Sequence, residues 1–236
     1  MIVKVCDALC GQGKTMSCIE MMNSCTEKKF IFITPYLTEV ERIKISCRKR
    51  NFISPEKKPE NGYSKLQDLN ALLRAKENVV STHALFSHYT AETKELIEAG
   101  GYTLVLDEVL DLFQVAETDP GDVDMLKRKG VVQEDGDGNI LWEDDDYTGA
   151  AFEEIALMSK SKNLISFGQS FYFWVIPIDV FRCFDDAYVL TYLFEHQLLR
   201  YFFDANDIKY ELIGTKKENG IYNFCPLREM DRRKEL

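Results

Sequence analysis

The segment Ala8–Thr15 (ALCGQGKT) constrains this chain more than any other part of its sequence. It follows a short apolar stretch, MIVKVC, and it precedes a segment of helical character from about Lys14 to Cys25. Gly11 and Gly13 permit backbone conformations that other residues resist, so the N–H groups of the loop can converge on an anion at a helix N-terminus. A lysine and a threonine directly after the second glycine are typical of a loop that binds phosphate groups.

The loop predicts a site for a nucleoside triphosphate with magnesium. It fits AxxGxGKT, the variant of the Walker A pattern in which alanine replaces the first glycine. We expect Lys14 to reach the β and γ phosphates and the Thr15 hydroxyl to ligate Mg²⁺. The predicted cofactors are ATP and Mg²⁺, and the alternative is a glycine-containing turn followed by a chance Lys-Thr pair. The predicted nucleotide-binding residues are Ala8, Cys10, Gly11, Gln12, Gly13, Lys14, Thr15 and Met16.

An acidic pair follows another apolar stretch. Residues 102–106 (YTLVL) predict a buried strand, and Asp107 and Glu108 come directly after it. At the end of a strand the Asp107 carboxylate can hold Mg²⁺, usually through water. Glu108 is then the candidate general base that polarises the attacking water, so the predicted catalytic residues are Glu108 and Lys14. The alternative is that both acids are merely solvated.

Apolar stretches alternate with helical patterns along the chain. Strands are predicted at 1–6, 29–34, 78–81 and 102–106, and later at 163–167, 187–193 and 210–213. This alternation predicts an α/β fold in three layers, α/β/α, with a mostly parallel sheet. The ligand of such a fold binds beyond the carboxyl ends of the strands.

The net charge of −10 comes from one region of the chain. Residues 107–146 hold 14 acidic and three basic residues, which leaves the remainder close to neutral. Within this region, Val131–Gln133 and Ile140–Trp142 flank a Gly-rich turn and predict a β-hairpin. We therefore predict an acidic insertion with a hairpin at residues 115–148, on the face opposite to any bound nucleic acid.

Four further segments at or near the ends of predicted strands occur in a recognisable order: Thr34-Pro35, Ser81-Thr82-His83, Asp107-Glu108 and Leu190-Thr191-Tyr192. With the phosphate loop, they resemble the first RecA-like domain of a superfamily-two helicase of the DEAD/DEAH type, of a phage-encoded sort, over roughly residues 2–213. The resemblance implies a P-loop NTPase of RecA type, with residues 1–236 as one ATPase domain. It implies ATP hydrolysis with Mg²⁺ that drives unwinding or translocation.

The resemblance also implies contacts with single-stranded or duplex nucleic acid, with DNA favoured. It assigns contacts with the sugar–phosphate backbone to Thr34, Pro35, Thr82 and His83. Basic residues after the second strand are further candidates for phosphate contact, namely Arg48, Lys49 and Arg50. The alternatives are a strand-to-helix turn at Thr34-Pro35, a capping or core histidine at His83, and a solvated basic face.

Thr191 is implied to couple hydrolysis to movement, although Tyr192 stands where a small residue is usual; the alternative is an ordinary strand residue. A second RecA-like domain, which would supply an arginine finger, is expected in cis in a longer protein or in trans. Without it we expect slow hydrolysis. The aromatic stretch from Phe171 to Pro177 is expected in the core or, if exposed, as the docking surface for that domain.

Two other functions remain open from the sequence. One is a P-loop kinase acting on a nucleoside or nucleotide, for which no arginine-rich lid is evident. The other is a non-catalytic, nucleotide-gated interaction module. The seven cysteines show no paired spacing and the chain shows neither a signal peptide nor a long apolar run, so a cytoplasmic protein without membrane contact is expected.

Overall fold

A computed structural model describes residues 1–58, 64–108, 110–144, 152–168 and 171–230. The strands are β1 (Val3–Asp7), β2 (Lys29–Thr34), β3 (Phe52–Ile53), β4 (Asn78–Thr82), β5 (Tyr102–Asp107), β6 (Phe113–Val115), β7 (Val132–Glu134), β8 (Ile140–Trp142), β9 (Leu164–Phe167), β10 (Phe171–Val175), β11 (Asp186–Thr191), β12 (Tyr210–Glu218) and β13 (Ile221–Pro226). The helices of this described part are α1 (Lys14–Ser24), α2 (Leu37–Ser46), α3 (Lys65–Arg74), α4 (His83–Phe86), α5 (Ala91–Gly100), α6 (Pro120–Arg128), α7 (Glu153–Lys160), α8 (Asp179–Arg182) and α9 (Leu198–Ala205).

The main sheet has eight strands in the order β13-β12-β1-β11-β5-β2-β4-β3. Every neighbouring pair in it is parallel except β12 and β13, which form an antiparallel hairpin. The predicted mixed α/β fold with a mostly parallel sheet is confirmed. Because the strands run in one direction, the segments that follow β1, β2, β4, β5 and β11 all emerge at the same edge of the sheet.

Both faces of the main sheet are covered, as the near-continuous burial of β2 and β5 requires. Phe30 and Phe32 of β2 pack on one face, while Ile31 and Ile33 pack on the other. On the first face the apolar partners come from α1 and α2: Ile19, Met22, Val40 and Ile43. On the second face they come from α3 and α5: Leu69, Leu73 and Ile97. Helices therefore lie on both sides of the sheet, as predicted.

The chain between β5 and β11 forms two smaller sheets. β10 pairs antiparallel with both β6 and β9, and β7 pairs antiparallel with β8. The predicted hairpin is thus present, and the Asp135 carboxylate fixes its turn by accepting from the amides of Asp137 and Asn139 at 2.9 Å. The predicted acidic insertion, 115–148, falls within this part of the chain, and its last residues, 145–148, lie outside the described ones.

Several element boundaries differ from the sequence-based expectation. The strand predicted at 210–213 continues to Glu218, and the strand predicted at 187–193 ends at Thr191. The chain after it is split into a short 3-10 helix (Phe194–His196) and α9. The split follows a turn in which the Asp7 carboxylate accepts from the amides of Leu193 and Phe194 at 2.8 and 3.0 Å. Among the described residues, no helix has the length and apolar character needed to cross a membrane.

Candidate functional site

The loop between β1 and α1 contains two glycines with positive φ angles and ends at an uncapped helix start. Gly11 and Gly13 have φ angles of +79° and +82°, a region that glycine adopts without strain. Gly13 is the N-cap of α1, and no side chain caps that helix. The first backbone N–H groups of α1 therefore lack a capping side chain and can donate to an anion. This geometry fits the predicted phosphate loop.

The predicted nucleotide-binding side chains surround this loop at different depths. Lys14 Nζ donates to the carbonyl oxygens of Ala8 at 2.6 Å and Leu9 at 3.3 Å, so its ammonium group closes the loop from end to end. Ala8 and Gln12 are buried, Thr15 is half-buried, and Cys10 and Met16 are exposed. A phosphate oxygen would replace the carbonyl partners of the lysine.

Asp107 ends β5 in a buried position, with 5% of its surface exposed. Burial raises its pKa to about 7, and the charges of Glu108 and Glu39 act in the same direction. The charges of Arg42 and Lys14 oppose that shift of the Asp107 pKa. A carboxylate that ionises with difficulty on its own is a fitting ligand for a divalent cation, because a bound cation reverses this shift.

Glu108 leaves the sheet through a turn. Its φ is +67°, an uncommon conformation for a residue with a side chain, and the side chain is exposed. Such backbone strain persists where the surroundings enforce it and is often found at functional sites. Asp107 and Glu108 therefore have different environments, one buried and one solvent-facing, as the separate roles predicted for them require.

β11 lies between β1 and β5 and joins the two halves of the site. In the register of the sheet, Thr191 pairs with Asp7 and Leu190 pairs with Asp107. The Ala8 amide donates to the Thr191 carbonyl at 3.1 Å. The buried Thr191 hydroxyl lies 2.8 Å from Nε2 of Gln197, which donates to it. The predicted coupling residue is thus bonded to the start of the phosphate loop.

The residues predicted to contact nucleic acid at the ends of β2 and β4 are only partly accessible. Thr34 is fully buried, so its hydroxyl cannot reach a nucleic-acid strand in this conformation. The alternative, that Thr34-Pro35 is only a turn between a β-strand and a helix, fits better. Thr82 is half-buried and pairs with Thr34. Pro35 and His83 line a cleft of about 540 Å³.

His83 has a structural partner. Its Nε2 lies 3.0 Å from the carbonyl oxygen of Asp107, and because a carbonyl only accepts, Nε2 carries the hydrogen. Burial lowers the pKa of His83, which favours the neutral ring. His83 therefore ties the end of β4 to the end of β5, a role that agrees with the core-histidine alternative.

The predicted basic candidates do not lie beside Thr34 and Pro35. Arg50 is buried, and its guanidinium donates to the carbonyls of Cys25, Thr26 (3.1 Å) and Lys28 (2.5 Å) in the connection before β2. That connection is at the amino edge of the sheet, whereas Thr34 is at the carboxyl edge. The assignment of Arg50 to a nucleic-acid surface is therefore wrong, since its charge is used in holding the fold.

Arg48 and Lys49 are exposed but, being adjacent to Arg50, they share its edge of the sheet. The acidic region is also placed differently from the expectation. Glu117 of the predicted insertion lines the same cleft as Pro35 and His83, so this part of the insertion is not on the opposite face from these candidates. Asp111 and Glu154, which lie outside the predicted insertion, line the cleft as well. Three carboxylates in this cleft oppose the approach of a phosphate backbone.

The aromatic stretch from Phe171 to Pro177 is divided between core and surface. Tyr172, Trp174 and Ile176 are buried, while Phe171 is 61% exposed. Pairing with β6 and β9 extends the exposed side into one apolar face, because paired residues point to the same side of a sheet. We name it the outer face of β6-β10-β9, and it consists of Phe113, Val115, Ile165, Phe167, Phe171, Phe173 and Val175.

Sequence reasoning missed the C-terminal hairpin β12–β13, which reaches the phosphate loop. Thr215 Oγ1 donates to the carbonyl of Gln12 at 2.8 Å, and the ring of Tyr222 lies directly against Gly13. The signal was present, since Asn219-Gly220 between two β-rich stretches is typical of a tight hairpin turn. The contact between this hairpin and the loop had no signal in the sequence.

Comparisons with known proteins connect the chain to a prophage protein. A family model described as the YonV middle domain matches residues 114–174, from β6 to β10. The SPbeta prophage-derived protein YonV of Bacillus subtilis (strain 168) is 41% identical over 244 aligned positions. The alignment covers 99% of this chain and 59% of that relative, so the chain spans about three-fifths of the relative's length.

Among solved structures, the chain is similar to the DUF1998 helicase MrfA bound to DNA, with 9% sequence identity and a TM-score of 0.40. The similarity covers 94% of this chain and 26% of that one. Agreement at this level carries no inference about the function of the present chain.

Proposed function

We propose that this chain is a P-loop, RecA-like motor domain that binds ATP with Mg²⁺ and hydrolyses it to drive movement along nucleic acid. One observation carries the proposal. The glycine loop with Lys14 and the Asp107-Glu108 pair emerge at one edge of a parallel sheet, on either side of β11, and the charge of Lys14 acts on Asp107. A chance turn and two unrelated acids have no reason to meet in this way.

Each residue has a role in the proposed site. The loop amides from Gly11 to Thr15 bind the phosphates, and Lys14 neutralises their charge. Thr15 and Asp107 are the residues that would hold Mg²⁺, which when bound polarises the phosphates and offsets their charge. Glu108 accepts a proton from the water that attacks the γ phosphate, and its exposed position leaves it open to that water.

The proposal extends to partners of the chain. YonV is longer than the matched region, which supports a further domain that completes the site in a longer protein or in trans. An arginine supplied by such a domain contributes about 10³-fold or more to hydrolysis in related chemistry. The outer face of β6-β10-β9 is the surface that we propose for its docking, because a folded protein rarely leaves so many adjacent aromatic residues uncovered.

We propose that the motor domain moves along nucleic acid, with DNA favoured. At the carboxyl edge of the sheet, the remaining candidates for contact with the nucleic acid are Pro35, Thr82 and His83. The prophage origin of YonV is compatible with a phage-encoded protein that acts on DNA. Pro35 and His83 line the cleft that also holds Asp111, Glu117 and Glu154, so these carboxylates oppose a close approach of the phosphate backbone there.

A second candidate function has an observation in its favour. The basic candidates Arg48, Lys49 and Arg50 lie at the amino edge of the sheet, whereas the residues beside Pro35 and His83 include carboxylates. A nucleotide-gated interaction module without turnover needs no basic surface beside the site, and it predicts ATP binding with no hydrolysis under any stimulus.

The two functions are separated by the rate of ATP hydrolysis. The rate is measured for the chain alone and with single-stranded DNA, duplex DNA and RNA, in the wild type and in Glu108→Gln. A motor domain gives slow basal turnover that nucleic acid raises and that Glu108→Gln abolishes. Binding of ATP with no turnover under any of these conditions supports the interaction module instead.

A further inference from the structure

The hairpin β12–β13 runs past the end of β1 alongside the phosphate loop. β12 pairs with β1 up to Ile213, opposite Cys6, and then continues to Glu218. β13 returns antiparallel, so Thr215 is paired with Phe224 and Lys217 with Tyr222. Directly paired residues share one face of a hairpin, and this face is turned towards the loop and α1.

Two contacts join the hairpin to the loop. The hydroxyl of the buried Thr215 donates to the carbonyl of Gln12 at 2.8 Å. A Cβ atom built on Gly13 would lie 2.2 Å from Cδ1 of Tyr222, so the ring occupies the space that a side chain would take. Lys217 Nζ is 5.0 Å from the centre of the same ring.

The hairpin is also held by contacts with the central strands of the main sheet. The ring of Phe224 stacks on Tyr188 of β11, with centroids 5.5 Å apart and an interplanar angle of 21°. Pairing of β12 with β1 along four residues adds a backbone connection to the centre of the sheet. Thr215 and Tyr222 are therefore presented by a rigid element.

A glycine-rich loop needs such support. Gly11 and Gly13 have more conformational freedom than other residues, and freedom that remains in the unliganded loop is lost on binding. Contacts that fix the loop beforehand remove this loss and strengthen binding. The hairpin contacts fall on Gln12 and Gly13, at and beside the positions that need positive φ angles.

We propose that the hairpin β12–β13 is a brace for the phosphate loop, in which Thr215 and Tyr222 are positioning residues that do not touch the nucleotide. This inference rests on the proposed function in one respect, that the loop binds a triphosphate. Its distinguishing consequence is that the brace affects only the binding of the phosphate groups, through the loop that holds them. Loss of the brace lowers the affinity for a ligand that has a nucleobase and for a ligand that has none by the same factor.

Titration calorimetry with Mg²⁺ and either the ATP analogue AMP-PNP or inorganic tripolyphosphate tests this consequence. If the loop is not fixed beforehand, the entropy lost in fixing one residue on binding lowers the affinity by about tenfold. Tyr222→Ala and Thr215→Val are therefore each expected to lower the affinity for both ligands by roughly tenfold. Tyr222→Phe keeps the ring and Thr215→Ser keeps the hydroxyl, so both retain wild-type affinity. Ile221→Ala, on the other face of the same strand, is the matched control.

Two results would overturn the proposal. If Tyr222→Ala weakens AMP-PNP but leaves tripolyphosphate unchanged, Tyr222 contacts the base and is not part of a brace. If neither Tyr222→Ala nor Thr215→Val changes either affinity, the hairpin contacts have no influence on the loop.

Hydrogen exchange in the ligand-free chain separates this proposal from the proposed function. The amides of Gln12 and Ser17 donate to the carbonyls of Leu9 and Gly13 and report on the loop directly. They are expected to exchange faster in Tyr222→Ala and Thr215→Val than in the conservative variants. If the wild type binds neither ligand, the proposed function fails, while unchanged exchange in the two disruptive variants overturns the brace.

Discussion

The backbone amide of Glu108 donates a 3.0 Å hydrogen bond to the carbonyl oxygen of Leu190. The next carbonyl of the same strand, that of Thr191, accepts from the amide of Ala8. The end of β11 is therefore bonded on one side to the acidic pair and on the other to the start of the phosphate loop. A displacement of this strand end changes both halves of the proposed site together, which would couple hydrolysis to movement in the proposed motor.

Glu108→Gln is expected to separate binding from turnover. The Glu108 side chain is exposed, and the hydrogen bond to Leu190 is donated by the backbone N–H, which glutamine also has. The substitution is therefore expected to leave the fold and the affinity for Mg²⁺–ATP unchanged. Loss of a general base lowers turnover by about 10²- to 10⁴-fold. Phosphate release measures the rate, with Glu98→Gln, an exposed acid of α5, as the control. Wild-type turnover in Glu108→Gln would remove Glu108 from the mechanism.

Asp107→Asn is expected to stabilise the ligand-free protein in a pH-dependent way. The folded pKa of Asp107, about 7, lies above its ordinary value of 3.8, so ionisation of Asp107 costs stability as the pH rises from about 4 to 7. Asparagine does not ionise. At pH 8 the variant gains up to about 4 kcal/mol, at roughly 1.4 kcal/mol per pKa unit, and the gain disappears below pH 4.

Urea denaturation at pH 4, 6 and 8 measures this gain, with Asp111→Asn as the exposed control. The same Asp107→Asn variant loses magnesium-dependent nucleotide binding, so stability and function change in opposite directions. A difference in the free energy of unfolding that stays constant across these pH values would show that burial does not raise the pKa of Asp107.

Arg50→Ala is expected to destabilise the fold without affecting the nucleotide site. Its guanidinium satisfies three backbone carbonyls and lies over the ring of Phe30, 5.2 Å from its centre. Removal leaves part-buried acceptors without these partners and removes the contact with Phe30, at about 2–4 kcal/mol in total. The exposed neighbour Lys49→Ala is the control and changes stability by less than about 0.5 kcal/mol. Equal small effects in both variants contradict the structural assignment of Arg50.

The alternation along β10 predicts different effects on stability at two positions of this strand. Phe171 lies on the outer face of β6-β10-β9, and Phe171→Thr is expected to leave stability within about 0.5 kcal/mol while lowering the binding of a hydrophobic dye. Trp174 is buried, and Trp174→Ala is expected to cost about 3–5 kcal/mol. Thermal melts and dye fluorescence measure both effects. A reversed order of the two melts would mean that the strand has the other register.

Much of this architecture could be predicted from local patterns. Apolar runs such as KFIFIT are buried on both faces, and they predict the strands of a parallel sheet without fixing the order of those strands. The hairpin at 132–142 follows from its Gly-rich turn. The glycines of the loop have the positive φ angles that the motif requires.

Other features depend on the tertiary fold and leave no local signal. Arg50 belongs to a basic run, and only the position of the α1–β2 connection shows that it is buried. Thr34 ends an apolar strand next to an exposed turn, and its burial is decided by the neighbouring strands. The contact of Tyr222 with Gly13 joins residues about 200 positions apart, and no pattern in either segment predicts the other.

The central claim is that the Gly11–Thr15 loop and Asp107 hold one Mg²⁺–triphosphate together. Its most direct test is calorimetric titration of AMP-PNP with and without Mg²⁺ into the wild type, Lys14→Ala and Asp107→Asn. We predict that the wild type binds AMP-PNP more tightly with Mg²⁺ than without it and that Lys14→Ala weakens binding in both conditions. Asp107→Asn is expected to lose the gain from Mg²⁺ and to keep the affinity measured without Mg²⁺. Binding that is absent in the wild type, or unchanged in both variants, would contradict the claim.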